Sequence, residues 1–545
     1  MGHAIPTIAI STVKYDENNN PKRAKWQIVA LGNMDPNQWS TNDCFAPVIS
    51  MVEPRFLLSL AIHHRRPLHS GDVKQAFVQA TLPANEQYVL RPPTGCPNTP
   101  KNTYWLLKRT LYGLKRSPKH WFIKATTLLA QCGMHPTPNN PCIFKGSPDG
   151  KNELYLGLYV DDFIYFSPSR DTEIAFEQKL RSLTSVDFMG EVSHFIGIKF
   201  SWDRKPDNHI AVHMTQEAFA DNLIDVAGLT NANTVKTPYR SGHPVDNIPS
   251  TQHPSMVQPL IKHTMQSLVG SLLWLSGATR PDLATIVSLL SQHTHHPTQG
   301  HINAVKYAIR YLKGTKNRGI SFSSAQNDPM SAFLKFPVNP SKILPLCDAN
   351  WGGQDQSIPD VNNPPELLSF VTRSMSGFII IQNGPIHWVS KRQKVTARSS
   401  AEAEIYATDE CVKELLRLQH IICDMGTQSI YIPHKEPIQV YNDNNACVCW
   451  SKSTTTKGLR HMTIRENAIR ESVSDKTVSI KHIEGRINIA DIFTKELKDI
   501  QLFITLRNLI TSIAPNSSTL HDYSEERGVL YELRTYSSLV TNKVN

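Results

Sequence analysis

A chain of 545 residues is longer than one ordinary hydrophobic core can organise, so roughly two to four domains are expected. Its 40% apolar and 19% charged residues exclude a disordered or fibrous chain, and nine scattered cysteines without a CxxC pair exclude a zinc ribbon, a zinc knuckle and a secreted disulfide framework. The net charge of +10 points to a polyanionic partner. No run of apolar residues is long enough for a membrane span, and the start "GHAIPTIAI" lacks the basic head and apolar core of a signal peptide. A reduced, intracellular, soluble protein with no membrane partner is therefore expected.

In chain order, the first 225 residues alternate strand-like and helical patterns. Within "RPLHSGDVKQAFVQATL", Asp72 follows a short extended segment and precedes a helical pattern through Val73, Ala76, Phe77 and Ala80. A carboxylate at a strand end can project into a cleft, although it would also serve as a helix N-terminal residue. From Gln87 to Pro148 there is no Asp or Glu. Arg91, Lys101, Lys108, Arg109, Lys115, Arg116, Lys119, Lys124 and Lys145 supply positive charge there, interleaved with Tyr104, Trp105, Tyr112, Trp121 and Phe122. Cations neutralise phosphates and aromatic faces stack on bases, so this stretch is a candidate nucleic-acid surface.

The next segment, "LYLGLYVDDFIYF", has apolar runs on both sides of Asp161 and Asp162, the pattern of a β-hairpin with two acids at its tip. Paired carboxylates in a desolvated setting repel, and a hard divalent cation removes the conflict. Side-chain alternation along a strand would point Asp161 and Asp162 to opposite sides, and of the two Asp161 is preferred as the direct ligand. Beyond a polar loop, "MQSLVGSLLWLSGATRPDLATIVSLLSQ" and "HINAVKYAIRYLKGT" show helical spacing and predict at least two amphipathic helices.

Four more acids stand out in the last third. Asp348 ends "ILPLCDANW", Glu404 lies in the helical "SSAEAEIYATDECVKELLRLQHII", Asp443 ends the alternating "IQVYND", and Asp491 opens "ADIFTKEL". "SSAE" reads as a capping box with Ser399 as N-cap and Glu402 closing it, a structural role for Glu402. No role is assigned to His461, His482 or Asp409, and the polar insert "GGQDQSIPDVNNPPELLS" is expected to be a surface loop.

The ordered series "GDVKQAF", "LYGLKRSPKHW", "YVDD", "HFIGIKF", "SLVGSLLWLSGATRPDLATIVSLLSQ" and "AIRYLKGT" resembles the reverse transcriptase of copia-type LTR retrotransposons, and the resemblance runs over about residues 20 to 500. The order of acids behind it resembles an RNase H domain. The resemblance implies a mixed α/β (α+β) multidomain chain: a right-hand polymerase of palm, fingers and thumb followed by an RNase H-like α/β domain. Its divisions would be 1–225 (fingers and palm), 226–325 (linker and helical thumb or connection), 326–513 (RNase H-like) and 514–545 (tail).

By the same resemblance, Asp72, Asp161 and Asp162 would hold two Mg²⁺ in the polymerase centre, and Asp348, Glu404, Asp443 and Asp491 two more in the ribonuclease centre, with Mn²⁺ as a substitute. Lys25, Phe77, Gly113, Lys115 and Arg116 would bind substrate, with Phe77 gating the 2′-hydroxyl; "HFIGIKF" would be a strand near the primer end. Gln27 stands where the family carries Arg. The implied partners are an RNA template, a DNA primer, an RNA–DNA hybrid and dNTPs, with the element's integrase and capsid beyond them. The implied location is cytoplasmic, in a virus-like particle, with a nuclear location as the alternative. The expected activity is RNA-directed DNA polymerase with RNase H; the alternative is an inactive retroelement relic or co-opted nucleic-acid-binding protein of the same fold. The start of the chain is expected to be clipped relative to the family, as in a cleaved product or truncated gene copy.

Overall fold

A computed structural model describes residues 4–15, 21–96, 99–100, 102–204, 209–240, 243, 245, 248, 259–325, 328–352, 373–431, 436–453 and 464–513. The polar insert after Gly352, the tail beyond Ile513 and His461 lie outside the described residues. Two compact units are present: Met1–Leu57 with Pro67–Val192, and Leu58–Arg66 with Ser193–Asn545. Among the described residues no helix is long and apolar enough to cross a membrane.

Among the described residues the first unit carries ten strands: β1 (Ile5–Tyr15), β2 (Pro21–Ala30), β3 (His69–Val73), β4 (Val89–Arg91), β5 (Trp105–Leu106), β6 (Met134–Thr137), β7 (Asn140–Gly146), β8 (Leu154–Tyr159), β9 (Asp162–Phe166) and β10 (Val186–Glu191). They form one sheet of order β2-β1-β4-β5 and a larger one of order β10-β3-β9-β8-β7-β6. Leu154, Leu156, Leu158, Phe163, Tyr165 and Val73 turn one face of the larger sheet to the helices Ser117–Gln131 and Arg170–Leu183. Trp121, Leu128, Phe176 and Leu180 meet them there, and each such side chain contributes about 1.5–3 kcal/mol of burial. The opposite face is covered as well: a Cβ added at Gly157 would lie 2.8 Å from the side chains of Ile49 and Leu57. Burial on both faces is why the sequence around the acids is a continuous apolar run rather than an alternating one.

The second unit holds β11 (His194–Phe195), β12 (Ile198–Arg204), β13 (Ile210–Thr215), β14 (Arg318–Ser323), β15 (Leu344–Asn350), β16 (Met375–Ile381), β17 (Pro385–Arg392), β18 (Ile438–Asn442), β19 (Val478–His482) and β20 (Ser512–Ile513). "HFIGIKF" is not one strand, as expected, but a hairpin. Ile196 and Gly197 both adopt positive φ (48° and 70°), as a two-residue type I′ turn requires, and they join β11 to β12. The long apolar "MQSLVGSLLWLSGATRPDLATIVSLLSQ" is also divided. Pro281 cannot donate to the helical ladder, so Pro259–Ala278 stops and Ala284–Ser291 restarts. The break is held by Arg280 and Asp282, fully buried and paired at 2.7 Å, with the Tyr311 hydroxyl donating to the same carboxylate.

The C-terminal sheet has the order β17-β16-β15-β18-β19. Its β15–β16–β17 part is an antiparallel meander, and β15, β18 and β19 run parallel. Helix Ser400–Asp424 crosses it with Ala403 and Ala407 against Ala349 and Ala397, small residues that let helix and strand approach closely. Ser399 accepts the Glu402 N–H as predicted, but the Glu402 carboxylate accepts from the Arg398 N–H, so the capping box is only half formed.

Candidate active sites

β8 and β9 pair Tyr159 with Asp162, leaving Val160 and Asp161 as a two-residue turn. Val160 sits at φ 56°, a left-handed conformation that a β-branched residue keeps only where its surroundings impose it. Two bonds impose it here. The Trp121 indole donates to the Val160 carbonyl (2.6 Å), and the Val73 N–H donates to the Asp161 carbonyl (3.0 Å). The tip is thus clamped between a core helix and β3.

On β3, Asp72 is the register partner of Asp162, and residues directly opposite on antiparallel strands share a face. Alternation therefore favours Asp162 as the neighbour of Asp72. The expectation that preferred Asp161 assumed a regular strand, whereas Asp161 lies in the turn. Asp72 itself is inside a strand, not at a helix start, because the following helix begins only at Ala76. All three acids are half-buried. Burial and then the charges of Asp161 and Asp72 raise the Tyr112 hydroxyl above its usual pKa, and the Tyr112 ring meets Phe77 edge-on at 4.9 Å. Acids, gate candidate and Tyr112 thus occupy one neighbourhood.

Gly113 follows directly, at φ 91°; a Cβ there would fall 2.0 Å from the Ala30 carbonyl, and one on Gly32 would fall 2.1 Å from the Gly113 carbonyl. The absent side chains let the two turns lie back to back, joined by the Ala30 N–H donating to the Tyr112 carbonyl (2.8 Å). Lys115 is exposed just beyond. Lys25 lies on β2 opposite Thr12, with its side chain outside the described part. Arg116 is committed inside the protein. It pairs with buried Glu86 at 2.5 Å, stacks over Trp39 at 4.5 Å and donates to the Asp43 carbonyl at 3.3 Å. Trp121 is also removed from the candidate nucleic-acid surface, being 1% exposed in the core. Arg91, Tyr104, Lys108, Arg109 and Lys115 are exposed.

The C-terminal acids converge. Oxygens of Asp348, Asp443 and Asp491 lie within 4.8 Å of one another, the one such trio among the described residues; Asp72, Asp161 and Asp162 are not brought that close. Asp348 is in the middle of β15, Asp443 follows the last residue of β18, and Asp491 sits in the 3₁₀ segment Ile489–Phe493. That segment can approach because Gly377, opposite Asp348 on β16, has no side chain; a Cβ there would meet Thr494 at 2.6 Å and Phe493 at 2.7 Å. Glu404 joins from the helix behind, 6% exposed, its carboxylate accepting from the Asn442 amide at 2.9 Å. Burial and the charge of Asp348 push Glu404 up to about 10, and the same two causes in the same order lift Asp443 to about 6 and Asp491 to about 7. Asp348 Oδ1, on a residue 1% exposed, has no hydrogen-bond partner among the described residues. A buried, partnerless carboxylate oxygen inside a ring of acids is a fit for a hard divalent cation.

Residues 2–241 match the model of the family described as reverse transcriptase (RNA-dependent DNA polymerase). They form a reverse transcriptase domain. The chain is 27% identical over 493 residues to the retrovirus-related Pol polyprotein from transposon RE2 of Arabidopsis thaliana, covering 90% of the chain and 30% of that protein. A similar Pol polyprotein from transposon TNT 1-94 of Nicotiana tabacum is 27% identical over 489 residues, covering 89% of the chain and 34% of its own length. The chain thus spans about a third of these copia-type relatives. A solved foamy viral protease-reverse transcriptase in complex with double-stranded DNA aligns with a TM-score of 0.41 at 12% identity, covering 87% of this chain and 66% of that one.

In the reverse transcriptase domain, sequence reasoning passed over Tyr112 and Trp121 as parts of the carboxylate neighbourhood. Around the C-terminal acids it passed over Asn442, Thr494 and Lys495. Asn442, fully buried, orients Glu404; the Thr494 hydroxyl donates to Asp348 Oδ2; and Lys495 Nζ lies 2.8 Å from Asp491 and 3.4 Å from Asp348. Their signal was adjacency: Asn442 precedes Asp443, and Lys495 follows Asp491 by one helical turn.

Proposed function

We propose that the chain is an RNA-directed DNA polymerase with an RNase H activity, acting in the replication of a copia-type retrotransposon inside the cell, in cytoplasmic particles. The observation that carries the reading is that one chain holds two separate carboxylate constellations: Asp72, Asp161 and Asp162 around a clamped hairpin tip, and Asp348, Glu404, Asp443 and Asp491 around a buried orphan oxygen. Its substrates would be dNTPs on an RNA template with a DNA primer, and then the RNA strand of the resulting hybrid.

In the polymerase centre Asp72 and Asp162 present carboxylates from one sheet face, and Asp161 presents a third from a turn that the Trp121 and Val73 bonds hold still. Phe77, braced edge-on by Tyr112, would close the sugar side of the nucleotide site. Exposed Lys115, Arg109 and Lys108 would meet template phosphates. In the ribonuclease centre Asn442 fixes the Glu404 carboxylate, and Thr494 occupies one oxygen of Asp348 so that the other stays directed at the site. When bound, Mg²⁺ would supply activation of the attacking hydroxyl or water and stabilisation of the leaving oxygen. What the protein supplies is ligands fixed by the strands, turn and hydrogen bonds that carry them.

Primer extension and hybrid cleavage on one preparation test this. Asp161→Asn should abolish extension and spare RNA cleavage, and Asp443→Asn should do the reverse. Extension that survives Asp161→Asn, or a folded protein inert in both assays, would overturn the reading.

A further inference from the structure

Lys495 has no part in the chemistry proposed above, yet its ammonium is inside the acid cluster. It lies 2.8 Å from Asp491 Oδ1 and 3.4 Å from Asp348 Oδ2, bridging two of the three acids that approach within 4.8 Å. The two oxygens of Asp348 are in different situations. Oδ2 takes both the Thr494 hydroxyl and the Lys495 ammonium, while Oδ1 has no partner among the described residues. A cation arriving at Oδ1 finds an oxygen without a hydrogen-bond partner among the described residues. A cation arriving between Asp348 and Asp491 finds that place already filled by a positive charge.

We propose that Lys495 is a built-in cation that holds the position of the second divalent ion, so that the ribonuclease centre takes one ion readily and a second only by moving Lys495. The inference rests on the reading of this cluster as a metal centre. The Lys495 side chain is 30% exposed, so its flexible four-carbon stem has a route to solvent once the ammonium is expelled. Two ions in such centres lie about 3.5–4 Å apart. An ammonium left in contact with Asp348 and Asp491 would then sit at contact range of a divalent charge, so the two states exclude each other. Holding Asp348 and Asp491 together is also what the metal-free site needs, since the acids repel without a counter-charge.

The test is Mn²⁺ titration of the full chain, followed by the electron paramagnetic resonance signal of free Mn²⁺ with no nucleic acid present. Asp72→Asn and Asp161→Asn are introduced to silence the polymerase centre. Two classes of ion are expected in this background. Lys495→Met should tighten the weaker class about tenfold and leave the stronger class within about twofold, whereas Lys495→Arg should keep both near the parent values. In chelator Lys495→Met should also lower the melting temperature, a loss that Mn²⁺ restores. If the Met variant fails to fold, Lys495→Gln carries the same expectation. An unchanged or weakened second class in the uncharged variants overturns the role of Lys495 alone. If the parent takes up no Mn²⁺ that Asp443→Asn removes, the metal-centre reading falls and this inference with it.

Discussion

In chelator at about pH 8, Asp443→Asn should make the protein more stable, and with saturating Mg²⁺ it should make it less stable than the parent. Burial and the charge of Asp348 lift the Asp443 carboxyl from its ordinary 3.8 to about 6. The folded state therefore keeps a proton that the unfolded chain has released between those values, and stability falls as pH rises through that window, with the full cost in place above about pH 6. Roughly two units at 1.36 kcal/mol each would be about 3 kcal/mol; half-burial and solvent screening reduce that to about 1–2 kcal/mol. Asn removes the charge and the cost with it. Thermal unfolding followed by the fluorescence of Trp351, Trp388 and Trp450 should show a rise of roughly 2–8 °C at 2–4 °C per kcal/mol. Mg²⁺ at a hundred times its dissociation constant stabilises the parent by about 2.7 kcal/mol, and the variant loses a ligand for it, so the order reverses. A variant less stable than the parent in chelator at about pH 8, or a parent whose melting temperature is flat from about pH 4 to 7, refutes the electrostatic account.

Two further substitutions separate the centres. Gly377→Ala places a methyl 2.6 Å from Thr494 and pushes away the segment carrying Asp491 and Lys495; a cost of about 1–3 kcal/mol and a loss of hybrid cleavage with unchanged primer extension are expected. Phe77→Val removes the ring beside Tyr112 and should raise ribonucleotide over deoxyribonucleotide incorporation by about 10- to 200-fold in single-nucleotide addition. Unchanged discrimination would make Phe77 a core aromatic only.

The hairpin of β8 and β9 was legible because its flanks are apolar and its centre is not. Its tip was not legible, since valine is no one's choice for a left-handed turn position and nothing local announces the bonds from Trp121 and Val73 that hold it there. Trp121 and Arg116 looked like nucleic-acid contacts because composition counts charges and rings without their partners; Glu86 and the helix core that absorb them are distant in sequence. The C-terminal acids were found singly, Asp443 at a strand end as expected and Asp348 in a strand that runs on past it. Their convergence depends on the parallel pairing of β15 with β18 and on the empty face of Gly377, and neither is a local property. Lys495 lay within reach of the i, i+4 rule, but a lysine after an acid is ordinarily a solvated surface pair.

The left-handed Val160 also gives this chain a thermodynamic direction of change under the proposed function. Holding a β-branched residue at that turn costs on the order of 1–3 kcal/mol, and glycine or asparagine would relieve it. Under the proposed function, selection for copying would oppose that relief because Asp161 must be placed accurately. A copy no longer under such selection gains folding stability by losing this residue. Substitutions at this hairpin tip in copies freed of that selection should then yield proteins that melt at a higher temperature than the present chain.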